Sequence, residues 1–238
     1  MKLSEIKKLY NALKPLYAQL IKDTAKYKNT LAFCAQWGKE YSCNGDGIMF
    51  CGRATNGWIA KSKKLDILMP DDFENLSQRK RIFNRSDQME WLTQTEPYNP
   101  NRSAFWRVIR KTVTPKYGDD WYKHIVWSNL CKMSFDEGNP SDGLYYAELD
   151  VCCKILEVEL EIFNPKHIVL LTGYAWAIDF LTYLNKDVEP TPIASKIWDA
   201  YKVIVYQING RYFYLSEHPQ GKDEASHVKA LQTLIKRY

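Results

Sequence analysis

Apolar side chains recur at helical spacing in five segments of the chain. From Leu3 to Ile21 they return every three or four positions with lysines between them, which predicts an amphipathic helix with a basic outer face. The same period predicts further helices over 103–113, 147–163, 174–184 and 224–238. Asn164 precedes a proline, and this position disfavours helical backbone, so we expect the third helix to end there.

Short apolar runs between these helices predict strands. The runs at 47–51, 124–129 and 167–172 are mostly apolar, as expected of buried parallel strands. Residues 202–208 and 211–216 flank an Asn-Gly pair, a strong signal for a two-residue hairpin. Strands that alternate with helices predict an α/β fold, a three-layer α/β/α sandwich around a mostly parallel central sheet. We expect one domain over 1–238, with 1–46 as a helical extension packed on it.

Composition excludes several classes of protein. The 238 residues are 45% hydrophobic and 26% charged, close to globular usage, which argues against a disordered or fibrous chain. The chain contains no apolar stretch long enough for a membrane span, and its N-terminus lacks the apolar core of a signal peptide. We therefore expect a cytoplasmic, monomeric protein without a membrane partner, whose six cysteines are reduced.

The charge pattern is compatible with a polyanionic partner. The net charge is +5, and residues 76–111 hold eight Lys or Arg against three acids, whereas 134–161 hold eight acids and one Lys. A segregated basic segment attracts phosphates, although a solvated helix face has the same composition.

Ligands of parallel α/β sheets bind outside the carboxyl ends of the strands. This rule selects four loops, which read GRATNGW, SNLCKMS, TGYAWA and SEHPQGK. Motifs in and around these loops resemble those of the uracil-DNA glycosylase superfamily, especially its mismatch-specific and iron–sulfur branches. The similar segments are, in chain order, GIMFCGRATNG at 47–57, NRSAFW at 101–106, Asn129 with Lys132, PKHIVLLTG at 165–173, and His218-Pro219.

The resemblance implies a uracil-DNA glycosylase-like fold and an enzyme that excises uracil or another altered base, from DNA rather than RNA. Such chemistry needs the base to leave the stack and enter a pocket. By resemblance Asn129 reads the base edge and His218 donates to the base carbonyl as the base leaves. The remaining candidates for substrate binding, with backbone, phosphate or stacking contacts, are Phe50, Gly52, Arg53, Trp58, Lys132, Ser216 and Lys222.

Several candidates also have a purely structural interpretation. Asn129 after a strand is typical of a turn that bonds its own backbone. His218 before a proline is compatible with a strand-end turn, and Phe50 and Trp58 with packing. Phe105 and Trp106 at helical spacing favour the core over a stacking platform.

The first loop departs from the family pattern. The iron–sulfur branch carries a catalytic carboxylate at the second position of its G-x-x-P-G loop, and the mismatch-specific branch carries a water-orienting Asn at the third. Here those positions are Arg53 and Ala54, which cannot activate water. Asn56 is the nearest replacement, so we assign it as catalytic together with His218. The alternative is a catalytically silent protein that binds nucleic acid or a nucleotide.

No cofactor or metal is expected. The iron–sulfur branch uses an N-terminal C-x-x-C pair, whereas Cys34 and Cys43 are too far apart in this chain for that pattern.

Overall fold

The computed structural model describes residues 1–55, 89–96, 98–135 and 138–238. Within these ranges lie five α-helices and three short 3-10 segments, Glu90–Thr93, Pro100–Arg102 and Gly118–His124. The α-helices are α1 (Leu3–Asp23), α2 (Ala104–Tyr117), α3 (Asp142–Phe163), α4 (Tyr174–Leu184) and α5 (Glu224–Arg237).

Nine strands lie between the helices in the same ranges. They are β1 (Thr30–Ala32), β2 (Gln36–Trp37), β3 (Gly47–Gly52), β4 (Ile125–Asn129), β5 (Met133–Phe135), β6 (Pro165–Leu171), β7 (Ala194–Trp198), β8 (Tyr201–Ile208) and β9 (Arg211–Ser216). β1 and β5 form a separate antiparallel pair.

The other seven strands form one sheet in the order β2-β4-β3-β6-β9-β8-β7. The four strands in the middle, β4, β3, β6 and β9, pair in parallel. The edges pair antiparallel, with β2 on β4 at one side and the β9-β8-β7 meander at the other. The α/β class is confirmed. The prediction of a mostly parallel sheet holds for the four central strands, and the antiparallel edges make the sheet as a whole mixed.

Alternation along β3 divides the core between the two faces of the sheet. Met49 and Cys51 pack with the apolar faces of α1, α3 and α4, whereas Ile48 and Phe50 pack with those of α2 and α5. Successive side chains of a strand point to opposite faces, so a fully apolar strand has to be covered on both sides. Helices accordingly cover both faces of the sheet.

The N-terminal 46 residues are only partly helical, which corrects the expected helical extension. α1 packs against α3, and Tyr17 donates from its hydroxyl to the Phe33 carbonyl oxygen at 2.7 Å. The chain then adds β1 and β2, and β2 becomes an edge of the main sheet by pairing with β4. Strands of two or three residues are too short for a period of two to be visible in the sequence.

Local signals account for the element ends. The Ser141 side chain accepts from the Leu144 N–H, so α3 begins a turn earlier than its apolar period indicated. The hairpin between β8 and β9 is confirmed, with Asn209 and Gly210 both at positive φ, 51° and 76°. Among the described residues no helix has the length and apolar character of a membrane span.

Candidate functional site

The order of the parallel strands places a topological switch point between β3 and β6. The chain leaves β3 for β4 on one side, and leaves β6 for the β7-β8-β9 meander on the other, so the connections diverge between these two neighbours. Ligands of open α/β sheets bind at such a divergence, outside the carboxyl ends of the strands. We use the term carboxyl edge for the residues that end and follow β3, β4, β6 and β9, namely 52–55, 129–132, 172–173 and 216–222.

Main-chain hydrogen bonds join the four loops of the carboxyl edge in pairs. After β3 and β4, the Leu130 N–H donates to the Gly52 carbonyl at 3.0 Å, and the Cys131 N–H to the Arg53 carbonyl at 2.8 Å. After β6 and β9, the N–H groups of Thr172 and Gly173 both donate to the Ser216 carbonyl, at 3.1 and 2.8 Å. The loops are therefore held in register beyond the ends of their strands.

The Asn129 amide lies directly across Gly52. A Cβ on Gly52 would lie 2.5 Å from Asn129 Oδ1 and 3.5 Å from Phe105 Cε2, so only glycine admits this approach. Asn129 is 2% exposed, and its Nδ2 has no hydrogen-bond partner among the described residues. A buried unpaired donor costs about 1–3 kcal/mol, which is accounted for if a ligand supplies the acceptor.

His218 borders the same space from β9. Its ring lies nearly parallel to that of Phe105, with centroids 6.2 Å apart and planes at 12°. Burial, then the positive charges of Arg53 and Lys222, lower the pKa of His218 to about 4. The Gln220 N–H donates to His218 Nδ1 at 3.3 Å, so the single proton of the neutral ring resides on Nε2. His218 is thus a neutral donor at physiological pH.

Arg53 is anchored on the other side of the sheet plane, toward α4. Its Nε donates to the Thr172 carbonyl at 2.5 Å, and its guanidinium lies 5.7 Å from the Trp176 ring centroid. A Cβ on Gly173 would lie 3.4 Å from Arg53 Nη2 and 3.0 Å from Glu217 Oε2, so both charged groups approach the start of α4. Burial lowers the pKa of Arg53, and the negative charge of Glu217 opposes this change.

Lys132 is buried under the carboxyl edge, which corrects its assignment to substrate binding. Its Nζ lies 2.9 Å from both carboxylate oxygens of Glu159 on α3, and neither side chain is exposed. Nζ also donates to Ser128 Oγ and to the Asn129 carbonyl, each at 2.7 Å. All three ammonium protons therefore have acceptors within the protein.

The remaining candidates have different environments. Ser216 is buried, and its hydroxyl is hydrogen-bonded to His227 Nε2 at 2.8 Å, which corrects its assignment to phosphate binding. Phe50 is fully buried between the sheet, α2 and α5, so its interpretation as a packing residue replaces that of a stacking ring. Lys222 is half-buried and donates to the His218 carbonyl at 2.9 Å. Asn56 and Trp58 lie outside the described residues.

Two buried glutamates on α3 were missed by sequence reasoning. Glu148 Oε2 accepts the N–H groups of Lys132 and Met133 at 2.9 and 2.8 Å. Burial raises the pKa of Glu148 to about 7. Glu148 and Glu159 share a helical face with Cys152 and Leu156, and this spacing was the available signal for their burial.

The basic surface of α2 is partly neutralised by α5. Arg107 pairs with Glu224 through Nε at 3.0 Å, and Lys111 pairs with the same carboxylate at 3.2 Å. Arg102 and Arg110 remain exposed. The local excess of positive charge is thus smaller than the sequence count indicated.

A cavity of about 460 Å³ lies at the opposite edge of the sheet, between α2 and α5. Its polar side chains are largely engaged: His167 Nδ1 bonds the Tyr214 hydroxyl at 2.8 Å, and Lys116 lies 3.7 Å from Asp46. This cavity shares no lining residue with the carboxyl edge, where the buried unpaired amide lies. We therefore place the candidate site at the carboxyl edge.

All six cysteines are free thiols, and no group of metal-ligating side chains converges within the described ranges. Neither a protein-family model nor a curated protein matches the chain. Its function has to be inferred from the chemistry of the carboxyl edge and from the motifs.

Proposed function

We propose that this chain is a uracil-DNA glycosylase-like N-glycosidase, with the corresponding fold, that removes uracil or another altered base from DNA. The observation that carries the proposal is that Asn129 Nδ2 is buried without a partner among the described residues, at the edge where a neutral His218 also lies. Phe105 contacts both the Gly52 position across from Asn129 and the His218 ring. The motif segments that follow β3, β4, β6 and β9 meet at one edge of the sheet in the order of the family motifs.

The two side chains suit a base that carries carbonyl groups. Asn129 directs Oδ1 at Gly52 and leaves Nδ2 to donate, and His218 donates through Nε2. Two donors complement the two carbonyl oxygens of uracil or thymine, and one of the donors complements the single carbonyl oxygen of hypoxanthine, whereas an amino group of cytosine would face a donor. Phe105 supplies an apolar wall beside the base.

The same groups would assist the departure of the base. When the C1′–N bond breaks, its electron pair stays on the base, and negative charge develops on the carbonyl oxygen. A donor fixed at that oxygen stabilises the charge, and removing such a donor typically costs about 10²–10³ in rate. Water then adds to C1′, and the proton that it loses passes to the departing base anion.

Orientation of that water is assigned to Asn56, which stays a prediction. Arg53 and Ala54 occupy the usual positions and cannot accept the proton. Arg53 and Lys222 remain candidates for phosphate contacts, because guanidinium and ammonium groups bind phosphate oxygens.

A second candidate function is recognition without catalysis. Arg53 favours it, since its guanidinium is tied to the Thr172 carbonyl and to Trp176 in the loop where the iron–sulfur branch has its carboxylate. Such a protein would bind nucleic acid through the same edge and release no base.

Base release from a panel of oligonucleotides tests both functions. The panel contains uracil, mismatched thymine, hypoxanthine and modified cytosines, in single strands and duplexes. The first proposal predicts release of at least one base, and a rate about 10²–10³ lower in His218→Ala. Recognition alone predicts salt-sensitive binding without release, weakened by Arg53→Ala. A folded chain that neither binds nor cleaves at low salt contradicts both.

A further inference from the structure

The peptide group between Asn129 and Leu130 is held at both ends. Lys132 Nζ donates to its carbonyl oxygen at 2.7 Å, and its N–H donates to the Gly52 carbonyl at 3.0 Å. A peptide group is planar, so two bonds on opposite ends fix its orientation. Because Asn129 is also paired with Gly52 in the β3–β4 ladder, the backbone on both sides of its Cα is held, and this sets the direction of its Cα–Cβ bond.

The ammonium that holds this peptide is itself fixed from α3. Glu159 accepts from Lys132 Nζ at 2.9 Å and from the Ser128 hydroxyl at 2.7 Å. Glu148 accepts the N–H groups of Lys132 and Met133, and so ties the end of the same loop to α3. The loop after β4 is thus attached to the helix behind the sheet by two carboxylates.

A buried ion pair is a weak source of stability. Removing two charges from water costs several kcal/mol for each ion, and apolar side chains of similar volume are often as stable or more stable. Removing only one partner is strongly destabilising, since a buried charge is left alone. Packing alone therefore does not account for a lysine and a glutamate at these positions.

We propose that the Lys132–Glu159 ion pair positions Asn129 for base recognition. The pair holds the Asn129 carbonyl, and this constraint keeps the Asn129 amide across Gly52 with Nδ2 free to donate. Lys132 and Glu159 are positioning residues that touch no base. The inference rests on the proposed function and assigns a role to a lysine that the motif resemblance placed in the substrate site.

Replacing both partners together separates positioning from stability. The test variant is Lys132→Met with Glu159→Met, and its matched control is Asp150→Ala with Lys154→Ala, an exposed Lys–Asp pair on the same helix. The probe is an oligonucleotide with 2′-fluoro-2′-deoxyuridine, whose glycosidic bond resists cleavage. The measurements are urea unfolding, equilibrium binding of the probe, and hydrogen exchange at the Leu130 amide.

The test variant should unfold at a urea concentration equal to or above that of the wild type. It should bind the probe about tenfold more weakly, which corresponds to the loss of one positioned hydrogen bond. Adding Asn129→Ala should weaken binding by no more than about twofold, because the amide is already misplaced. Leu130 should exchange faster, and the control should match the wild type in all three measurements.

A second pair, Lys132→Gln with Glu159→Gln, serves if the first does not fold. Glutamine is shorter than lysine and does not reach the Asn129 carbonyl, so the same loss of affinity is expected. Wild-type affinity in a folded double variant, or unchanged Leu130 exchange, overturns the positioning role alone. A wild-type chain that binds neither this probe nor the corresponding 2′-fluoro probes with thymine and hypoxanthine overturns the proposed function and this inference with it.

Discussion

Gly52 is the residue on which the geometry of the site depends most directly. It is the last residue of β3 and pairs with Asn129 in the parallel ladder. Because it has no side chain, Asn129 Oδ1 can occupy the space where a Cβ would otherwise lie. Its carbonyl oxygen also accepts the Leu130 N–H. Gly52 therefore helps to fix the position of both the side chain and the main chain of Asn129.

Gly52→Ala should destabilise the protein by about 1–3 kcal/mol, because the new Cβ would lie 2.5 Å from Asn129 Oδ1 in a packed interior. Adding Asn129→Ala should recover part of this loss, since it removes the atom that collides. Urea unfolding of the wild type, both single variants and the double variant measures the coupling. Strictly additive losses would contradict the contact.

Asn129 and His218 are assigned to the site by motif resemblance. Asn129 ends a strand that its apolar run predicts, and His218 follows another. The burial of Lys132 could not be predicted in this way, because its partner Glu159 is 27 residues away along the chain. Glu217 was missed for a related reason. Its proximity to Arg53 depends on the pairing of β6 with β9, and the local sequence does not show which strands pair.

At the scale of elements, sequence periodicity is most informative for the centre of the fold. The predicted helices and the four parallel strands are present, because each is long enough to show its period. β1, β2, β5 and β7 were missed, since three of them have only two or three residues and β7 is an edge strand with partly exposed side chains. Their formation depends on partners that are distant in sequence.

The junction of β6 and α4 depends on Gly173. This residue has φ of +83°, and a Cβ would lie 3.0 Å from Glu217 Oε2. Gly138 has the same φ, but a Cβ there would meet no atom of the described residues within 4 Å. Both positions strain an alanine, whereas only Gly173 also crowds the carboxyl edge.

Gly173→Ala should therefore lower the free energy of unfolding by more than Gly138→Ala, by about 1 kcal/mol or more. It should also displace Arg53 and weaken oligonucleotide binding, which Gly138→Ala should leave unchanged. Thermal unfolding and binding at low salt provide the comparison. Equal effects of the two substitutions would show that backbone strain alone is responsible.

At the scale of the whole molecule, burial of histidines makes the fold sensitive to acid. Burial is the main cause that lowers the pKa of His167, His218 and His227 to about 4 from the usual 6.5. Near pH 6.5 the unfolded chain begins to bind a proton at each of these histidines, whereas the folded chain does not. Protonation therefore favours the unfolded chain, and the free energy of unfolding falls as pH falls from 6.5 toward 4. Glu148 acts in the opposite direction, because its raised pKa makes stability fall as pH rises from 4.5 to about 7.

Three protons on histidines outweigh one on Glu148, so stability should decrease on acidification from pH 6.5 to pH 4.5. Each proton corresponds to a slope of at most about 1.4 kcal/mol per pH unit. Urea unfolding at several pH values measures the slope, and Glu148→Gln should make it steeper by removing the opposing proton. Stability that is constant or rises on acidification would contradict this assignment.

The central claim is that Asn129 and His218 donate to the carbonyl groups of one base. Nitrogen-15 NMR can follow Asn129 Nδ2 and His218 Nε2 while an oligonucleotide with 2′-fluoro-2′-deoxyuridine is added, with 2′-fluoro-2′-deoxycytidine in the same sequence as control. The account predicts that both side-chain resonances shift with uracil and stay in place with cytosine. Resonances that do not move, or that respond equally to the two bases, would contradict it.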